Sequence, residues 1–183
     1  MADWYLLRAT GVVSLVLFTV VTVLGIATAN RWRPGRLPRF VTVALHRNLS
    51  LLAVVFVAIH VVTSLLDPYA GVTALSVVVP LAAHWKPLYV GLGAVSLDLL
   101  AALLVSSLLR RRLGLRVWRG IHLLAYAAWP VALGHALGAG TDASATWLRL
   151  AAIACLVLVV AAVLSRLLRP RDTSKHLSRG VPA

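Results

Sequence analysis

Leu45–Val61 reads LHRNLSLLAVVFVAIHV and Ile121–Leu137 reads IHLLAYAAWPVALGHAL: two apolar runs, each with a histidine near either end. Runs of this hydropathy belong in hydrocarbon, where an ionisable ring costs free energy and needs a partner. Thirteen residues separate His46 from His60, and twelve separate His122 from His135. The two runs therefore carry near-matching histidine pairs, and what surrounds them decides how the pairs can meet.

Working outward, further apolar segments run from about Trp4 to Ala29, Pro87 to Leu109 and Ala145 to Leu168, while the two histidine runs extend to Phe40–Leu66 and Val117–Leu137. Each is long enough to cross about 30 Å of hydrocarbon as a helix. Five such segments with short connections predict an all-α, integral membrane helical bundle of about five transmembrane helices. The chain of 183 residues is 61% hydrophobic with a mean hydropathy of +0.92, more apolar surface than one water-soluble core can hide. The stretch from Gly71 to Trp85 is also apolar. Its short length, with Pro68 before it and Pro80 within it, predicts a segment lying at the interface rather than a crossing.

The formal charge is +13, but 15 of the 18 Lys and Arg residues lie in two interhelical segments and the C-terminal tail. One segment holds Arg31, Arg33, Arg36 and Arg39, with Arg47 just inside the next helix. The other holds Arg110, Arg111, Arg112, Arg116 and Arg119, and the tail adds Arg166, Arg169, Arg171, Lys175 and Arg179. Only Arg8, Lys86 and Arg149 fall on the other side. That asymmetry predicts an outer N-terminus and a cytoplasmic C-terminus, with lipid headgroups and no nucleic acid as partners. Trp4, Tyr5, Trp85, Tyr89, Trp118 and Trp147 fall near the helix ends, where amphipathic rings anchor. The first apolar run ends in Arg-rich sequence instead of a small-residue cleavage site and is read as a retained helix. Cys155 is the single cysteine, so a disulfide framework or a cysteine metal site is excluded.

The two histidine helices are separated by one crossing and run parallel. His46 and His122 then share one level, and His60 and His135 the other, roughly 20 Å away along the axis. Two imidazoles at each of two levels suit two stacked bis-histidine b-type hemes, with the four histidines as axial iron ligands, better than one binuclear centre. At about 100° per residue, 14 steps return His60 to the face of His46, whereas 13 steps leave His135 off the face of His122. Pro130 lies between the latter two, where a kink would re-aim His135. Gly91, Gly93, Gly134 and Gly138 would either admit a flat macrocycle or let helices pack closely. Arg47, Arg119 and Arg8 lie near the two levels as candidate propionate partners or headgroup anchors. Asp98, near the middle of the third crossing, is a candidate for proton movement or for pairing with Arg. Asp67 and Asp142 read as turn or cap residues, and His84 and His176 as solvated.

The segments LHRNLSLLAVVFVAIHV and WRGIHLLAYAAWPVALGHALG, with RATGVVSLVLFTVVTVLG at residues 8–25, resemble the ferric reductase-like transmembrane domain family. The heme domains of NADPH oxidases and of the bacterial methionine sulfoxide reductase heme subunit are its relatives. The resemblance covers nearly the whole chain. It implies that His46 and His122 hold an inner heme and His60 and His135 an outer one, in a multi-pass protein of the bacterial plasma membrane. It divides the chain into a heme domain over 1–169 and a basic cytoplasmic tail, expected to be disordered, over 170–183.

Larger members of that family carry a flavin and nicotinamide domain, for which this sequence has no Gly-rich dinucleotide turn. The resemblance thus implies the membrane subunit of an oxidoreductase, taking electrons from a separate cytoplasmic donor protein and passing them to an outer, periplasmic acceptor. A quinol-oxidising heme subunit is the alternative, so that flavin or quinone as a further cofactor stays open. A non-redox reading, as a metal-ion transporter or a membrane scaffold, is less well matched, because transport needs ligands converging at one depth.

Overall fold

A computed structural model of the chain describes residues 2–29, 38–142 and 144–168. Arg31, Arg33 and Arg36, and the tail with Arg169, Arg171, Lys175, His176 and Arg179, lie outside the described residues. The fold is all-helical: α1 (Ala2–Ala29), α2 (Arg39–Leu66), α3 (Ala74–Val78), α4 (Pro87–Leu108), α5 (Arg110–His122), α6 (Ala125–Gly138) and α7 (Thr146–Leu167). Four of these, α1, α2, α4 and α7, are long and apolar enough to cross a membrane. α5 and α6, which follow α4, pass the same test only as a pair, with a 46° bend between them, which makes four to five candidate crossings. The protein is a multi-pass membrane protein.

Helix ends follow local chemistry. Pro38 stands at the N-cap of α2 and Pro87 opens α4, positions where the missing proline N–H costs nothing. Asp67 ends α2 and its carboxylate accepts from the Tyr69 N–H at 2.9 Å, the turn role its sequence context predicts. Between Asp67 and Pro87 the only helix is the five-residue α3, closed by a reciprocal Thr73–Ser76 capping box. It is far too short to span, and it packs on α4. The approach is close because Gly91 has no side chain: a Cβ there would meet the Leu81 amide nitrogen at 2.8 Å.

The fourth crossing departs from the single helix expected. Gly114, with φ +76°, breaks α5 after its first turn. A second break follows at Leu123 and Leu124, where Leu124 N–H bonds to Ile121 O, Tyr126 N–H to Leu123 O and Ala127 N–H to Leu124 O. Those are three-residue turns, tighter than α-helix, so they advance the chain further round its axis per residue. Pro130 lies inside α6, which runs unbroken from Ala125 to Gly138.

α1 is the centre of the bundle, packing on α2, α6 and α7, while α4 packs on α6. The core between α1, α6 and α7 gathers Leu15, Trp129, Leu133, Ala152, Cys155 and Val159. Two linked polar bonds lie within this region: buried Trp129 donates from Nε1 to Thr19 Oγ1 at 3.0 Å, and Thr19 in turn donates to the Leu15 carbonyl at 2.8 Å. Cys155 is thus a packing residue. By contrast α2 packs chiefly on α1, and it faces α5 and α6 through its histidine rings.

Candidate functional site

The four histidines meet in the pairs expected. The rings of His46 and His122 have centroids 6.3 Å apart with planes at 74°, and those of His60 and His135 are 6.2 Å apart at 77°. His46 and His60 are 14 residues apart on continuous helix α2, about 21 Å of rise, and so define two levels. His122 is the last residue of α5, and His135 lies in the last turn of α6. The tight turns and the 46° bend between α5 and α6 lie between His122 and His135 and turn the chain so that His135 meets His60.

Three of the rings are seated by one repeated device. His46 Nδ1–H donates to the Val21 carbonyl at 3.1 Å, His60 to Leu7 at 3.0 Å, and His135 to Tyr89 at 2.9 Å. A carbonyl oxygen only accepts, so these Nδ1 atoms carry the proton and each Nε2 keeps its lone pair. Four residues beyond each carbonyl stands a glycine against the same ring. A Cβ on Gly25 would meet His46 Cε1 at 3.3 Å, on Gly11 His60 Cε1 at 2.9 Å, and on Gly93 His135 Nδ1 at 2.6 Å. In a helix the carbonyl of residue i points along the axis toward residue i+4, so a side chain there would cover it. Glycine opens the carbonyl to a ring from the neighbouring helix.

His122 is placed differently. Its Nδ1 is buried without a hydrogen-bond partner, and its ring stacks on Trp118, centroids 4.8 Å apart at 28°. The Arg110 guanidinium lies 4.4 Å from the Trp118 ring centre on its way to the basic end of the bundle.

An ion held between two imidazole nitrogens at about 2 Å from each puts the ring centroids roughly 6 Å apart, since each centroid lies about 1 Å behind its nitrogen. Both pairs have that separation. Among the described residues no group of three or more His, Cys, Asp or Glu side chains comes together. Each level thus offers two imidazoles and would leave the remaining ligands to come from elsewhere, as a porphyrin supplies them.

The remaining candidates divide. Arg47 and Arg119 are exposed at the end of the bundle nearer His46 and His122. Arg8 is committed to an ion pair with Asp142, and its guanidinium lies 3.8 Å from the Trp4 ring centre. Asp142 is therefore more than a turn residue: it ties the N-terminal end of α1 to the connection between α6 and α7. Asp98 is exposed, two residues and about 200° around α4 from Ser96, whose hydroxyl donates to the Ala128 carbonyl of α6 at 3.2 Å. It points away from the helix that carries His135. Three of the four glycines first singled out serve close packing, Gly91 against Leu81, Gly134 against Leu92 and Gly138 against Tyr89, and only Gly93 seats a histidine. The sequence reading missed Gly11 and Gly25, although their spacing of 14 on α1 equals that of His46 and His60 on α2. His84 is exposed in the connection before α4.

No curated protein and no solved structure matches the chain. The family model described as "Ferric reductase like transmembrane component" matches residues 10–133, a span that includes Gly11, Gly25, His46, His60, Gly93 and His122 and stops two residues short of His135. With two histidine pairs across a membrane bundle and about two thirds of its length matched, the chain belongs to the ferric reductase-like transmembrane component family.

Proposed function

We propose that the protein carries electrons across the membrane on two b-type hemes, one held by His46 and His122 and the other by His60 and His135. The observation that carries the reading is the pair of ring separations, 6.3 and 6.2 Å, at two levels of one bundle. A heme so held supplies reversible one-electron exchange at its iron. The residues of the chain do the rest. Backbone carbonyls of Val21, Leu7 and Tyr89 fix the tautomer of three histidines and leave Nε2 free to bind. The apolar helices exclude water, and the basic end, with Arg110, Arg111, Arg112, Arg116 and Arg119 exposed, presents positive charge to an incoming donor.

On this reading the basic end is cytoplasmic, the N-terminus is outside, and the chain is the membrane subunit of an oxidoreductase in the bacterial plasma membrane. A separate donor protein supplies electrons from the cytoplasmic side and a periplasmic acceptor receives them. The position of Asp98, away from α6, favours a donor protein over quinol oxidised beside that carboxylate. Heme content per chain, measured by pyridine hemochrome on detergent-purified protein, tests the proposal. About two b hemes in the wild type, low-spin, and about one in each of His60→Ala and His122→Ala are expected. Protein made with ample heme that carries none would overturn it.

A further inference from the structure

Three histidines donate Nδ1–H to a carbonyl and lie against a glycine, and His122 does neither. Its position in the chain differs as well. His46, His60 and His135 lie within helices, whereas His122 is the terminal residue of α5, next to the tight turns that open the bend. What holds its ring is one aromatic face, Trp118, at 4.8 Å. For an imidazole bound to a metal, the hydrogen bond from the outward N–H fixes the ring and raises the basicity of the bound nitrogen. A ligand without it is both weaker and freer to swing away.

We infer that His122 is a displaceable ligand, so that the His46–His122 level accepts a small neutral exogenous ligand in its place while the His60–His135 level stays closed. The inference rests on the two-heme reading, and it adds a binding position for a small π-acceptor such as carbon monoxide on the side of the inner level that faces Trp118. Displacement breaks the His122 nitrogen–iron bond and forms one to the incoming ligand, with no change of oxidation state. Trp118, stacked on the ring, is the residue that sets how readily this happens.

The test is a titration of dithionite-reduced, heme-loaded full chain with carbon monoxide, read by difference spectrum against hemochrome content, for the wild type and Trp118→Leu. In the wild type, saturation at about half the heme is expected. In Trp118→Leu the same half should bind with at least a threefold higher apparent affinity, since the remaining brace has gone. Absence of binding, binding to all the heme, or a wild-type affinity in Trp118→Leu would each overturn the inference while leaving two low-spin hemes in place. Loss of the hemes themselves from the wild type would instead overturn the reading on which it rests. Gly93→Ala adds an independent arm: by crowding His135 it should open whatever heme the second level retains, so that carbon monoxide bound per chain rises above the wild-type amount even as heme content falls, and an unchanged amount per chain would count against the role given to the glycine-seated rings.

Discussion

At the scale of single residues, the decisive feature is that a histidine becomes a defined ligand only through the atoms behind it. The imidazole carries two nitrogens, and the carbonyls of Val21, Leu7 and Tyr89 decide which one keeps the lone pair. The glycines that expose those carbonyls should be sensitive in the order of their clearances. Gly93→Ala and Gly11→Ala, at 2.6 and 2.9 Å from their histidines, should each lose more than half the heme of the His60–His135 level, and Gly25→Ala at 3.3 Å should lose less of the other. Gly120→Ala, with nothing within 4 Å, should keep both. Hemochrome content ranks them, and equal effects at all four positions would refute the seating argument. The residues themselves were legible in sequence because four imidazoles in apolar runs stand out. Their tautomers were not, because the acceptors are backbone atoms on helices far along the chain, 53 residues away for Leu7 and His60.

Among the helices, the informative ones are α5 and α6, with the bend between them. Thirteen residues of ideal α-helix cannot bring His122 and His135 to one face, and the bend at Leu123 and Leu124 resolves that conflict. Pro130 was the visible breaker in the sequence, yet α6 passes through it. Pro130→Ala should therefore leave heme content and spin state unchanged. A loss of the outer heme in that variant would return the aiming role to the proline. The contact of α1 with α6 offers a second measurement. Trp129→Phe removes the bond to Thr19 and should lower thermal stability in detergent by about 1 kcal/mol, a typical net value for one buried hydrogen bond. No shift in the unfolding midpoint would mean that Thr19 is satisfied by the Leu15 carbonyl alone.

For the whole molecule, the bundle sets two ionisable levels one above the other and sends the remaining charge to its ends. Asp98 is the exception, an exposed carboxylate near the middle of α4 on the face away from α6. Asp98→Asn should leave both heme levels and their spectra intact, and a shift in either reduced spectrum would place the carboxylate closer to the site than its helix face allows. Fluorescent-protein fusions test the orientation: fluorescence is expected from a C-terminal fusion and not from an N-terminal one, and the reverse would invert the bundle. Sequence by itself determined the all-helical membrane bundle, the four histidines, their two levels and the basic end, because hydropathy, spacing and charge are local properties summed along one helix. Only the tertiary structure decided which nitrogen is free, how His135 is aimed, that His122 lacks the brace of the other three and which way Asp98 faces. Each of those depends on the rotation of one helix against another, and that rotation is set by side chains and glycines that meet across the bundle from distant parts of the chain.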